Sequence, residues 1–301
     1  MSFRADHYLK FVPSGQELDI LPNDLSLEDL KSLFLEILNS GVHGFCFSLY
    51  EEGQKPGDPV SDEQIRSRME VLAPHSKWIR TFSCTEGNER IPAIAREFGM
   101  NTLVGAWLGS DLEKNRLELD GLYALADQGL VDLAAVGNEV LYRDDLHEEQ
   151  LLGYLAEAKE RIPHIPVGYV DAYYEFVQRP ALTEACDVIF SNCYPFWEGT
   201  HFDQSLGHLN AMYHQAKAAA SGKKVIVSET GWPGQGQSLG GALPGSQNAM
   251  KYFINACLWA MNNDVELFYF SSFDEDWKVS SEGDVGAHWG IWDGKHNLKY
   301  V

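Results

Sequence analysis

Eight short apolar runs, each followed by a helix-like stretch, constrain this chain more than any other feature. GVHGFCFSLY, KWIRTFS, NTLVGAWLG, VDLAAVGNE, IPVGYVDAY, DVIFSNCYPF, KKVIVSET and VELFYFSSF begin near residues 42, 77, 101, 131, 165, 187, 223 and 265. They are short and rich in β-branched and aromatic residues, as buried parallel strands are. The intervals, roughly 22 to 42 residues, each leave room for one crossover helix. SDEQIRSRMEVLA carries Ser61 and Gln64 at capping-box spacing, and DDLHEEQLLGYLAEAKERI runs from acids to bases as a helix dipole favours. Eight such units predict a single-domain (β/α)8 barrel over residues 41–301. An open doubly wound sheet is the competitor, but it usually has fewer strands and often carries a glycine fingerprint after the first. Residues 1–40 precede the first strand, and LSLEDLKSLFLEILNSG (25–41) has helical periodicity with a stop at Gly41, so this segment is predicted to be a helical extension packed on the barrel.

At 301 residues and a formal charge of −21, the chain would repel phosphate backbones and anionic lipid surfaces. Nucleic acid and membrane are therefore excluded as expected partners, whereas neutral ligands stay open. The first twenty residues lack the apolar core of a signal peptide, so the expectation is a cytoplasmic monomer, or a periplasmic or secreted one if a leader has been removed. Five scattered cysteines read as buried free thiols, and ten histidines show no HExxH spacing, so no metal and no cofactor are expected. The glycine-rich GWPGQGQSLGGALPG (231–245) lacks G-x-G-x-x-G spacing and reads as a cleft-walling loop ahead of a helix near Ser246.

In such a barrel the chemistry sits where the strands end. The tips here carry Tyr50, Arg80, Trp107, Asn138 with Glu139, Asp171, Asn192 with Tyr194, Glu229, and Glu275 with Lys278. Glu139 and Glu229 each close a hydrophobic run, on strands four and seven, and are expected to face each other across the mouth. A facing pair suits glycoside hydrolysis, in which one carboxyl protonates the leaving oxygen and the other attacks the anomeric carbon or activates water. The competing reading has each glutamate capping the next helix or pairing with Arg80 or Lys278.

AVGNEVLYRDDL and VIVSETGWPGQGQ resemble the two signature segments of glycoside hydrolase family 17, the β-1,3-glucan-active enzymes. WIRTFS, TLVGAWLG, PVGYVDAYYEF, SNCYPFW and FSSFDEDWK resemble its remaining strands in order, so roughly residues 41 to 298 are covered. The resemblance implies a retaining double displacement with Glu139 as acid/base and Glu229 as nucleophile, and it matches Glu275 and Lys278 to a Glu and a Lys after strand eight. An exposed ion pair there would have the same residue types. FCFSLYEEGQKPGDP departs from the tyrosine-bearing first-strand motif of the plant members.

Retention predicts carboxyl groups about 5 to 5.5 Å apart, and an acid whose pKa is raised by desolvation and by its partner's charge. Asn138 is expected to donate to the sugar 2-hydroxyl, and Arg80 and Tyr194 to hold Glu229 as an anion. Tyr50 and Asp171 are expected to line or support the cleft. Of the tryptophans near strand tips or in the final segment (107, 197, 232, 277, 289, 292), Trp197 and Trp232 are the expected stacking platforms, with Phe196 and Tyr174 behind them. The expected function is a retaining β-1,3-glucanase. Alternatives are a β-glucan transglycosylase with the same glutamates, a barrel enzyme for another β-linkage, and a non-catalytic glucan-binding protein.

Overall fold

In the computed structural model, which describes Leu21 and residues 25–301, the strands start within two residues of their predicted positions. β1 (Val42–Cys46), β2 (Ser76–Arg80), β3 (Asn101–Ala106), β4 (Leu133–Asn138), β5 (Val167–Ala172), β6 (Val188–Asn192), β7 (Lys224–Thr230) and β8 (Leu267–Tyr269) each run parallel to the next. β8 pairs back onto β1, which closes the barrel and removes the open-sheet alternative. Every residue of β4 and of β6 is buried, as expected for strands covered on both faces. Gly168 in β5 is small for a reason of space, since a Cβ there would lie 2.1 Å from the Val188 carbonyl and 2.7 Å from the Phe190 ring.

Around the sheet lie α1 (Leu27–Ser40), α2 (Asp62–Leu72), α3 (Ile91–Glu97), α4 (Leu112–Asp127), α5 (Glu148–Arg161), α6 (Tyr173–Gln178), α7 (Pro180–Ala185), α8 (Ser205–Ala219), α9 (Ser246–Asn262) and α10 (Val279–Glu282). The β5–β6 crossover departs from one helix per crossover. Pro180 cannot donate the next helical hydrogen bond and holds Arg179 at φ −126°, ψ 79°, so the segment splits into α6 and α7. Only half of the predicted capping box at α2 forms. The Ser61 hydroxyl accepts from the Gln64 amide (3.1 Å), but the Gln64 side chain turns away to the Leu49 carbonyl (2.9 Å). α1 starts at the Ser26 cap and buries Leu30, Phe34, Ile37 and Leu38; the Phe34 ring lies 5.2 Å from Phe253 of α9. The rest of the predicted N-terminal extension, residues 1–20 and 22–24, lies outside the described residues.

Three strand pairings shift register at their carboxyl ends: β4 with β5 between Ala135 and Asn138, β6 with β7 between Ser191 and Asn192, and β7 with β8 between Val227 and Thr230, the extra residues lying in β4 and β7. Irregularities of this kind kink a strand and re-aim its side chains. They fall where Asn138, Asn192 and Glu229 sit.

Candidate active site

At the β4 tip the chain passes through the left-handed region twice, at Gly137 (φ 88°) and at Glu139 (φ 51°). A glutamate there is uncommon and costs free energy on the order of 1–3 kcal/mol. It is held by a hydrogen bond from the Glu139 amide to the Val170 carbonyl (2.8 Å) and by one from the Arg143 amide back to the Glu139 carbonyl (2.9 Å). The carboxyl thereby turns to the mouth of the barrel instead of capping α5.

Glu229 arrives from β7 and is 6% exposed. Arg80 Nη1 donates to its Oε1 (2.6 Å), and the Tyr194 hydroxyl donates to its Oε2 (2.7 Å). Arg80 Nη2 donates to Asn138 Oδ1 (2.6 Å), so one guanidinium spans the tips of β4 and β7. Beneath it, the Cys46 thiol donates to the Ser228 carbonyl (3.4 Å), and burial pushes that thiol up to about 12. Arg80 is buried, yet its pKa is raised: desolvation is the largest single influence and works against the charge, while Glu229 and Cys46 together outweigh it.

Asn192 joins the two glutamates. Its Nδ2 donates to Glu139 Oε1 (2.9 Å) and to Glu229 Oε1 (3.1 Å), and the Ser228 hydroxyl donates to its Oδ1 (2.8 Å), which fixes the amide's orientation. The facing carboxylate oxygens are therefore no farther apart than two hydrogen bonds laid end to end. Burial raises the Glu139 pKa to about 7, and the Glu229 charge adds to it; the Asn192 hydrogen bond and the more distant Arg143 and Arg80 work in the opposite direction.

Around this pair the predicted residues divide. Glu275 accepts from Lys278 Nζ (2.6 Å) and from the Tyr50 amide (3.3 Å), and Lys278 lies 4.3 Å from the Phe270 ring centre. The pair is buried, not exposed, and Tyr50 joins it through its backbone. Asp171 is fully buried and belongs to the scaffold. It accepts from the Tyr169 hydroxyl and from the Ala172 (2.8 Å) and Tyr142 (3.4 Å) amides, and burial raises its pKa far above the carboxylate range.

The expected stacking platforms need correction. Trp232 is fully buried, donates to the Leu243 carbonyl (2.9 Å) and packs among Phe196, Phe202 and Tyr252. Phe196 and Tyr174 are buried too, and so are Trp289 and Trp292. Accessible indole surface remains on the half-buried Trp197 and Trp277 and on Trp107, which is 36% exposed.

Two contributors lie beyond what glutamates at strand ends reveal. Asn192 is a tip residue, but nothing in SNCYPF says that its amide reaches two carboxylates. Glu282 ends the short helix α10, where no apolar run marks it. Its Oε2 accepts from Trp289 Nε1 (3.1 Å), and its pKa is raised to about 7 by burial first, with Lys278 opposing and the Glu229 charge adding to the rise. It is thus a further carboxyl within electrostatic reach of the pair, as Asp171 is of Glu139.

A family model described as the BtgE/BtgC glycoside hydrolase domain matches residues 44–290, most of the chain and all eight strand tips. This chain belongs to that family, within glycoside hydrolase family 17. Among similar proteins, a glucan 1,3-beta-glucosidase of Schizosaccharomyces pombe is 29% identical over 94% of this chain and 93% of its own length. Glucan 1,3-beta-glucosidase BGL2 of Candida albicans is 27% identical over 77% and 83%. An active-site mutant of the Rhizomucor miehei beta-1,3-glucanosyltransferase, in complex with laminaritriose, superposes with TM-score 0.77 at 28% identity, covering 87% of this chain and 96% of that one. An endo-laminarinase from Formosa, 20% identical with TM-score 0.73, shares the fold. The BtgE/BtgC barrel described here is accordingly a glycoside hydrolase. Among its described residues, no helix is long and apolar enough to cross a membrane.

Proposed function

We propose that this glycoside hydrolase acts on β-1,3-glucan by a retaining double displacement, with Glu229 as nucleophile and Glu139 as acid/base. The observation that carries the reading is Asn192 Nδ2, within hydrogen-bond reach of both carboxylates while Arg80 and Tyr194 bind only one. A carboxylate held by a guanidinium and a phenol is aimed by both, as attack on an anomeric carbon requires. A carboxyl raised to about 7 keeps its proton near neutrality and can give it to the leaving glycosidic oxygen. Once Glu229 is consumed in the glycosyl ester its charge is gone, the Glu139 pKa falls, and the same group deprotonates the incoming hydroxyl.

The β-1,3 linkage is supported by relatives whose names specify glucan 1,3-beta-glucosidase activity and by the laminaritriose-bound neighbour. Asn138, whose Oδ1 is taken by Arg80, keeps its amide nitrogen for a sugar hydroxyl. The test is incubation with laminari-oligosaccharides, resolving products by length, linkage and anomer over time. Shorter products released first as the β-anomer are expected; α-anomer release, or no cleavage of any β-1,3-glucan, overturns the reading.

Transglycosylation is the second reading. It is favoured by the likeness to a glucanosyltransferase over nearly that enzyme's whole length. Products longer than the donor would establish it, because a sugar hydroxyl must then have reached the ester before water.

A further inference from the structure

Beside the β4 tip, the loop between β3 and α4 borders a depression of about 260 Å³, lined by Trp107 and Gly109 and by the polar residues Ser110, Asp111, Lys114, Asn115 and Asp145. We propose that this depression is an outlying subsite for a single glucosyl unit of the chain whose cleavage Glu139 and Glu229 carry out. The proposal rests on the β-glucan reading above.

The loop is rigid. The Asn115 side chain, 1% exposed, accepts from the Gly109 amide and donates to the Gly109 carbonyl, both at 2.8 Å. Arg143 ties the depression to the catalytic pair. Its guanidinium lies 4.5 Å from the Trp107 ring centre, and it donates to Asp145 Oδ2 (2.6 Å), to the Leu108 carbonyl (3.1 Å) and to the carbonyl of Asn138, the residue before Glu139. A ring seated on Trp107 is therefore registered against the acid/base through one side chain.

The lining chemistry selects a neutral polyol. An exposed indole face suits the C–H face of a pyranose, and the Asp111 and Asp145 carboxylates suit its hydroxyls. The Asp111 carboxylate disfavours an anion, and the cations at the depression, Lys114 and Arg143, are already paired with Glu86 (2.9 Å) and Asp145 (2.6 Å). The volume lies below the ~300–1,000 Å³ of a site for a drug-sized ligand, so it matches one ring.

Gly109 supplies an independent sign that the space is kept open. Unlike Gly137 it does not sit in the left-handed region, and unlike Gly168 it faces no crowding atom: a Cβ there would meet only Asp145 Oδ2, at 4.0 Å. Folding does not require a glycine at this position. A side chain there would fill the depression.

The test is calorimetric titration of three proteins with laminari-oligosaccharides of increasing length. They are Glu229→Gln, to silence turnover, and the same variant with either Trp107→Ala or Gly109→Leu. Affinity of the parent variant should rise with chain length to a plateau. Each second change should lower that plateau roughly three- to tenfold and leave the shortest ligands unaffected. Unaltered length dependence, or an equal loss at every length, overturns the subsite while the glucan reading survives. Absence of binding by the parent at every length defeats the glucan reading, and the subsite with it.

Discussion

The tips of β4 and β7 present the same functional group to the same cleft, yet they differ in what surrounds it. At β7, Glu229 is gripped by Arg80, Tyr194 and Asn192. At β4, Glu139 shares only the Asn192 amide and is raised to about 7 by burial and by its neighbour. In the proposed mechanism identical side chains take different duties, one aimed by three donors and the other carrying a proton near neutrality, because donors are distributed unequally between them. The lesson is that role follows the count of charge-assisted hydrogen bonds, not the residue type.

The sharpest way to break this comparison is to remove each carboxyl in turn. Glu229→Gln should lower kcat on a laminari-oligosaccharide by roughly 10⁶-fold, as loss of a nucleophile does in a serine protease. Glu139→Gln should cost on the order of 10²- to 10⁴-fold. Azide separates the two roles, measured by the anomeric configuration of the glycosyl azide formed. Glu139→Ala should yield the β-azide, because the ester still forms, and Glu229→Ala the α-azide, because azide takes the nucleophile's place. The same anomer from both variants would end the assignment.

Smaller changes should move one carboxyl toward the condition of the other. Tyr194→Phe removes a donor from Glu229 alone and should lower kcat/KM by roughly 10- to 100-fold, the worth of a hydrogen bond to a charged group. Because Tyr194 is not bonded to Glu139, the basic limb of the pH profile should stay in place; a limb that moves with it would show that the two environments are not separable.

That basic limb is itself a prediction. Activity should fall as pH rises through about 7, where Glu139 loses its proton, and Glu139→Gln should abolish this dependence. The corresponding stability effect is the smallest. A carboxyl whose folded pKa lies above its unfolded value of about 4.3 leaves the native state holding more protons than the unfolded state between those values. Stability should therefore decline as pH rises across that window, most visibly by denaturant titration at pH 5 and pH 7. Glu282, also raised to about 7, contributes with the same sign, so Glu139→Gln together with Glu282→Gln should flatten the decline further than either alone.

The indoles show where sequence reading reaches its limit. Trp232 follows the Glu229 segment and Trp197 ends SNCYPFW, so both lie next to proposed site residues in the chain. Trp232 is nevertheless buried beneath Phe196, while Trp107, which has no catalytic neighbour in sequence, is left exposed beside Arg143. Proximity along a strand–loop segment says which end of the barrel a ring occupies. Which way the ring turns depends on how the β6 and β7 loops pack on each other.

What the sequence determined by itself is the alternation of eight apolar runs with amphipathic helices and the presence of a glutamate ending the fourth and the seventh. Those features arise from local periodicity and from burial, which composition records directly, and in a closed barrel they suffice to bring residues 139 and 229 to one mouth. Only the tertiary structure decided the rest: the register shifts at the β4 and β7 tips, the left-handed turn at Glu139, and the Asn192 amide shared by two carboxylates. Each of these depends on pairing between strands distant in sequence. No periodicity within a single run records a hydrogen bond whose partner lies 37 or 53 residues away.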